Sequence, residues 1–378
     1  MGNRFFDFVR NNFCNFLIGF KSLKRFSNPT YGGANHYLRL TVDQINFHSF
    51  GFMSNTMIPV IDLQLFLGND PSEKVKVAAQ IHEACKSFGI FYLINHGIDE
   101  TKMLQYMKAF FDLSSEEKNN IKISKQGIAR GYIAMGEESG SDALEVKEAF
   151  SYGYQWSSNQ LLENSLQAVN RWPESKNIPA DWQKKMQLLY TQMVEVAESL
   201  THAFSLSYTN NENYLRDYCK GGDTISMMRL FHYFPYHKAN EKFPEQHNRI
   251  GSSAHTDWGF LTLILQEHHV TGLELFHNKE WIEVPPMEGA LAVNCGDYFS
   301  MLTNGEYISP LHRVVSSGKE RMSAVLFYYP AYDAKIPTLA NQKYSLFENQ
   351  DSSKEVVTDI NSMSFGEFIE EKWKQVKR

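Results

Sequence analysis

Ala254-His255-Thr256-Asp257-Trp258-Gly259-Phe260-Leu261-Thr262-Leu263-Ile264-Leu265-Gln266 decides how this chain folds. Phe260 to Gln266 is an almost unbroken apolar run, the pattern of a buried strand. His255 and Asp257 precede it, two residues apart, so on an extended chain they project to the same face at the rim of a β core. His312 opens a second short strand, His312 to Val315, and two strands of a jelly roll can bring those ends together. Two imidazoles and one carboxylate converging on a point form a facial triad, which suits a ferrous ion and leaves three positions open. Arg321 follows nine residues after His312 and offers a planar fork for a carboxylate. The set points to a non-haem iron(II) oxygenase with an oxo-acid cosubstrate. A lone histidine-x-aspartate is weak, because with 13 histidines such a triplet arises by chance in roughly half of chains of this composition. The strand context and the companions of His312 sharpen it.

Outward from this stretch, the C-terminal half reads as short strands with turns between them. Met227 to Tyr236, Leu273 to Phe276, Trp281 to Val284, Leu291 to Asn294 and Met322 to Tyr329 are the others, with His277-Asn278-Lys279-Glu280 as a hairpin turn. Such spacing describes a sandwich or jelly roll. The N-terminal half is mixed. Ile58 to Leu63 alternates like a strand, a helix starts near Ser72 and stops at Gly89, and Ile90 to Asn95 is an apolar strand. A helix follows from about Asp99 to Leu113, and Ser114 with Glu117 forms a capping box. Residues 129 to 153 read as an irregular, glycine-containing surface loop, with Glu137 and Glu138 solvated. From Pro179, Trp182, Met186, Leu189, Met193, Val196, Leu200 and Phe204 form the core stripe of a long helix. Ser364 and Glu367 cap a last short helix. His96 reads as structural, and His268, His269 and His277 as solvated.

Composition sets outer bounds. The chain has 378 residues, 43% hydrophobic and 21% charged, with a formal charge of -6, so no basic field invites nucleic acid. No apolar run is long enough to span a bilayer. Cys14, Cys85, Cys219 and Cys295 lie far apart, which argues for a reducing compartment rather than disulfides or a thiolate zinc site. A cytoplasmic monomer is the expectation. Residues 1–52 differ from the rest: Arg4, Arg10, Lys21, Lys24, Arg25 and Arg39 accompany a phenylalanine series and almost no acid. That leader reads as a disordered or organelle-targeting extension, with Met53 as an alternative start. The expected divisions are 1–52, a helical and strand region 53–222, a jelly-roll core 223–336 and a C-terminal helical segment 337–378.

Further motifs complete the pattern: Ile58-Pro59-Val60-Ile61-Asp62-Leu63, Asn95-His96-Gly97, Asn294-Cys295-Gly296-Asp297, Thr303-Asn304-Gly305, Ser309-Pro310-Leu311-His312-Arg313-Val314 and Arg321-Met322-Ser323. Together with the His255 stretch they resemble the isopenicillin N synthase-like branch of the iron(II)- and 2-oxoglutarate-dependent dioxygenases, over residues 57 to 336. The resemblance implies a mainly β fold with flanking helices around a double-stranded β-helix, the distorted jelly roll. It implies Fe(II) on His255, Asp257 and His312, and the distal carboxylate of 2-oxoglutarate on Arg321 and Ser323, with Tyr233 as a further cosubstrate contact. Dioxygen as oxidant, ascorbate as reductant and a small-molecule substrate complete the implied set. The substrate pocket is then lined by the N-terminal half and the C-terminal helix. One departure stands out: where the family often has Asn-Tyr-Tyr-Pro, this chain has His232-Tyr233-Phe234-Pro235.

The implied reaction splits 2-oxoglutarate to succinate and carbon dioxide and hydroxylates or desaturates a small organic substrate, with no protein general base. Asn294 and Asp297 then act as supports rather than catalysts. Three other readings are open to test. An oxidase of the same fold also keeps an Arg-x-Ser but needs no oxo acid. A binding module with a structural metal would close its coordination shell. A zinc hydrolase on the same ligands gives Arg321 no role and would need no oxygen.

Overall fold

The computed structural model describes residues 58–123, 130–139, 144–209, 211–242, 249–335, 363–374 and 376. The leader 1–52 and the alternative start at Met53 lie outside them, as do residues 337–362. Twelve strands are described: β1 (Val60–Asp62), β2 (Ile90–Ile94), β3 (Gly131–Ile133), β4 (Lys147–Gly153), β5 (Met227–Tyr233), β6 (Ile250–His255), β7 (Leu261–Gln266), β8 (Leu273–His277), β9 (Glu280–Glu283), β10 (Ala290–Cys295), β11 (His312–Val315) and β12 (Arg321–Tyr328). They form an eight-stranded sheet in the order β1-β2-β10-β7-β12-β5-β4-β3 and a four-stranded sheet in the order β6-β11-β8-β9. This is the jelly roll expected from the strand spacing, and the large sheet draws strands from both halves of the chain.

Alternation along the central strands sorts side chains onto two faces. On one face Met228, Leu230, Leu263, Leu265, Ala324 and Leu326 pack with the helices in the larger core. Those helices are α1 (Pro71–Ser87), α2 (Glu100–Phe111) and α3 (Trp182–Thr209). Every residue of the predicted α3 stripe, Trp182 through Phe204, is buried. On the other face Phe231, Tyr233, Ile264, Leu273, Leu275, Val314 and Val325 fill a second core shared with the small sheet. The candidate ligands sit at the rim of this second core.

Local signals set the element ends. Asp70 caps α1 by accepting from the Ser72 amide, with Pro71 as the first helical residue. Gly89 ends it at φ +71°, where a Cβ would lie 2.2 Å from the Ile308 carbonyl oxygen, so only glycine fits. Both predicted capping boxes are present, Ser114 with Glu117 and Ser364 with Glu367. The latter starts α5 (Phe365–Trp373), which follows a short helix α4 (Asp297–Leu302). The β8–β9 turn places Asn278 and Lys279 at φ 51° and 70°, the twist a two-residue hairpin needs.

Three sequence expectations are corrected. The described residues between 130 and 153 are not all surface loop: β3 and β4 extend the large sheet, and Phe150 and Tyr152 are fully buried. Glu138 is not solvated. It is mostly covered and paired with Arg229 at 2.5 Å, while Glu137 pairs with Lys122. His268 is mostly covered, with Nε2 3.4 Å from the buried Glu100. His277 is half-buried and stacks on Phe88 at 4.6 Å, whereas His269 is exposed as expected. His96 is structural, as read: its ring bonds Glu100 and accepts from the Ile98 amide.

The β4 correction has an energetic cause. Glu148 is buried but saturated: Lys118 Nζ donates to both its oxygens at 3.1 and 2.9 Å, Tyr132 donates at 2.6 Å, and His232 lies at 2.9 Å. Burial alone would raise its pKa, but the His232 bond, Lys118 and Tyr132 outweigh it and hold the carboxyl below its usual 4.5. Glu148→Ala leaves Lys118 buried without its counter-charge and is expected to cost about 3–5 kcal/mol in urea denaturation. A depressed carboxyl stabilises above its unfolded value and stops doing so as pH falls through the folded one. The parent should therefore lose stability below about pH 4.5 more steeply than the variant. Equal acid dependence in the two would remove this role from Glu148.

Candidate metal centre

β11 pairs antiparallel with β6, and the register sets His312 directly across from His255. The rings lie 4.3 Å apart, centroid to centroid. Asp257, just beyond β6, completes the group: His255 Nε2 is 3.7 Å from one carboxylate oxygen and His312 Nε2 is 3.7 Å from the other. One ligand atom from each of the three falls within 4.8 Å of the others. Among the described residues this is the one such histidine, cysteine and carboxylate group. All three sequence-predicted ligands are thus brought together.

Backbone carbonyls fix the ring orientations. His255 Nδ1 lies 2.6 Å from the Ser253 carbonyl oxygen and His312 Nδ1 lies 3.0 Å from that of Pro310. With Nδ1–H donating to those oxygens, each Nε2 lone pair faces the shared point, the tautomer a metal requires. Burial, and then the neighbouring His312, push His255 down to about 4, so its imidazole is neutral at pH 7. Burial pushes the Asp257 carboxyl up, but His312, His255 and hydrogen bonds from Thr262 and Asn294 outweigh it and keep it ionised. Two imidazole nitrogens and one carboxylate are the donor set that fits ferrous iron.

The supports identified from sequence act on this geometry. Asn294 Nδ2 donates to Asp257 Oδ2 at 2.9 Å. The Asp297 amide donates to the Asp257 carbonyl at 2.7 Å. The Asp297 carboxylate accepts from Thr256, between the first two candidate ligands, at 3.1 Å, and from Ser309, just before the third, at 2.7 Å.

Arg321, Ser323 and Tyr233 lie beside the triad. A cavity of about 50 Å³ is lined by His255, Asp257 and His312 and also by Arg321, Ser323 and Tyr233. Arg321 is only 3% exposed. Its Nη2 donates to Gln266 Oε1 at 2.9 Å, its guanidinium carbon lies 5.1 Å from the Tyr233 ring centre, and Nε and Nη1 have no hydrogen-bond partner. A buried guanidinium with two vacant donors beside a triad is the geometry a carboxylate would complete. Gln266, which holds Arg321, was not singled out from sequence; its position at the end of an apolar strand was the available signal. The His232 departure has a structural reason. His232 faces away from this cavity, toward Glu148 and Lys118, and so does not touch the space that Tyr233 lines.

A second cavity of about 150 Å³ shares His255 and Asp257 and extends to Glu138, Lys147, Arg229 and Trp373. Glu138, Glu145 and Lys147 of the N-terminal half and Trp373 of the C-terminal helix contribute to its wall, and most of the rest comes from the jelly-roll core.

Comparisons with known proteins agree with this fold. Residues 58–175 match the family described as the N-terminal region of non-haem dioxygenases in morphine synthesis, and residues 224–330 match the 2OG-Fe(II) oxygenase superfamily. Homoarginine-6-hydroxylase 2-ODD-C23.1 of Arabidopsis thaliana is 31% identical over 303 residues, 76% of this chain and 89% of that protein. The 2-oxoglutarate-dependent dioxygenase caaD of Aspergillus niger is 29% identical, covering 82% and 92%. Among solved structures, a Neurospora crassa protein in complex with alpha-KG and thymine superposes with a TM-score of 0.64 at 24% identity, over 75% of this chain and 88% of that one. JOX2 with 2OG, Fe and JA gives 0.60 at 26% identity, over 75% and 77%. The chain belongs to the 2OG-Fe(II) oxygenase superfamily. It is an enzyme, a 2-oxoglutarate-dependent dioxygenase that uses iron and oxidises a small organic substrate. No helix among the described residues is long and apolar enough to cross a membrane.

The state of Arg321 leads to a prediction that needs no turnover. Arg321→Met removes a buried charge with two unmatched donors and should stabilise the ligand-free protein by on the order of 1–4 kcal/mol. Chemical denaturation without oxo acid measures it, and a destabilised variant would show that the guanidinium is already satisfied.

Proposed function

We propose that His255, Asp257 and His312 hold the ferrous ion, and that Arg321, Ser323 and Tyr233 receive the distal carboxylate of 2-oxoglutarate. One observation carries this reading: a single small cavity is lined both by the three-ligand group and by a buried arginine with two vacant donors. Bound iron supplies the redox chemistry that links dioxygen and the oxo acid to substrate oxidation.

The protein's own part is positional. The Ser253 and Pro310 carbonyls hold both imidazoles in the ligating tautomer. Asn294 and the Asp297 amide fix Asp257. Arg321 presents parallel N–H donors at a distance from the triad set by the β12–β7 register, and Gln266 keeps the fork from rotating. Ile264, Leu273, Val314 and Val325 exclude water from the space between. The proposed reaction requires no protein general base, because the iron and the oxo acid would supply the chemistry.

The prime substrate is a small organic molecule bound in the second cavity. The named relatives and neighbours span a hydroxylase of homoarginine and complexes with thymine and JA, so the fold admits polar as well as largely apolar substrates. The net charge of -6 favours a protein that does not engage nucleic acid, and we take the working unit to be a monomer.

Alanine at His255, Asp257 or His312 is expected to abolish succinate formation and weaken ferrous binding by calorimetry, with the fold retained. Arg321→Leu should raise the Michaelis constant for 2-oxoglutarate about 30-fold or more, the effect of losing a buried charge-assisted pair. Ser323→Ala should do so by only about fivefold, one neutral hydrogen bond. The assay is succinate release against 2-oxoglutarate at saturating iron. An unchanged constant in Arg321→Leu, or full substrate oxidation by the parent without oxo acid, would defeat the assignment.

A further inference from the structure

The two candidate histidine ligands are not held equally well. His312 lies on β11, which has β6 on one side and β8 on the other. His255 ends β6, the edge strand of the small sheet, whose one partner there is β11. That pairing is itself irregular, with register shifts on either side of Val314. Along β6 only Gly251 is buried. The His255 side chain is 40% exposed, against 8% for His312 and 3% for Asp257. Neither core packing nor a regular ladder therefore explains how His255 keeps its place.

Three consecutive residues of the N-terminal half reach β6 from the large sheet. The Val146 amide donates to the Ile250 carbonyl at 2.8 Å. Lys147 Nζ donates to Ser252 Oγ at 3.1 Å. The Ser253 amide donates to Glu145 Oε1 at 2.9 Å, across 108 residues of sequence. Glu145 is only 4% exposed, and its other oxygen lies 2.7 Å from Lys147 Nζ. Burial pushes the Glu145 carboxyl up, but Lys147 and hydrogen bonds from Ser253 outweigh it and hold the group below its usual 4.5. It is thus an ionised acceptor at neutral pH.

An ion pair serving only the fold would need no more than Lys147. The second oxygen of Glu145 instead takes a backbone amide on the strand that carries a ligand. Ser253 is also the residue whose carbonyl oxygen lies 2.6 Å from His255 Nδ1. The contacts run in series, from Lys147 to Glu145, to Ser253 and to the imidazole. We propose that Glu145 is a positioning residue for the ferrous site: its carboxylate holds the Ser253 amide and so fixes the carbonyl that orients His255. Lys147 keeps the carboxylate in place. His312, flanked by strands on both sides, needs no such support. This inference rests on the metal-centre reading above, because it gives His255 a ligand's role.

The test is calorimetry of ferrous ion binding to the full chain under argon, with neither 2-oxoglutarate nor substrate present. Any part that Glu145 plays in the cavity wall toward a substrate then has no bearing on the result. Every variant at position 145 carries Lys147→Met, so that no buried charge is left alone. Glu145→Gln keeps an acceptor for the Ser253 amide. Glu145→Leu has a similar size and offers none. The leucine pair is expected to bind ferrous ion about tenfold or more weaker than the glutamine pair, the scale on which supports of metal ligands act. A smaller gap overturns the proposal, since loss of charge or of packing would then explain the effect. Glu145→Met is a second acceptor-free variant and should match leucine. If the glutamine pair folds and neither acceptor-free pair does, Glu145 serves the fold rather than the ligand, and the proposal is overturned. His255→Ala is measured alongside. Ferrous binding at the parent's affinity in that variant overturns both readings. Loss of binding there, with leucine and glutamine pairs alike, overturns the Glu145 assignment alone.

Discussion

The antiparallel pairing of β6 with β11 is the constraint on which the rest of the site depends. It sets His255 opposite His312. A one-residue slip would turn one imidazole to the other face of the small sheet and dissolve the triad. Most surrounding features serve to hold that register: the carbonyls that lock each ring, the Asn294 bond to Asp257, and the packing of Val314 in the core between the sheets.

Buried charge is used in two opposite ways within this one sheet. Around Glu148 every group is matched, by Lys118, Tyr132 and His232, so the cluster serves to hold β4 and β5 together. At Arg321 matching is incomplete, and the residue lines the cavity beside the triad. Similar burial yields structural cement in one place and a receptive site in the other, and the difference lies in how many partners the protein itself supplies.

The sequence made β8, β9 and β11 of the small sheet, the longer helices and the ligand group legible because their signals are local: a two-residue spacing at a strand rim, a 3.6-residue stripe, a capping residue. What was hidden was β3, β4, β6 and the short helix α4. The glycines and irregular pattern of the stretch from 129 to 153 read as surface loop, and nothing local marked Arg130, Glu145, Glu148 and Ser151 as buried. All four are buried. Partners remote in sequence neutralise the charges: Lys118 is 30 residues from Glu148, and Arg229 is 91 residues from Glu138. The wall of the second cavity was illegible for the same reason, because nothing local marks a glutamate as half of a distant pair.

The Asp297 carboxylate, bonded to Thr256 and to Ser309, also bears on how the chain reaches this arrangement. Joining His255 to His312 directly would close a loop of roughly sixty residues, with an entropic cost that grows as the logarithm of loop length. Asp297 divides that closure into links of 41 and 12 residues. Once the first has formed and α4 has fixed Asp297, the second searches only a short segment, which lowers the added cost by about 1 kcal/mol relative to one long closure. A single aspartate that touches neither imidazole thereby ties both ends of the ligand group to one point of the chain and replaces one long closure by two shorter ones.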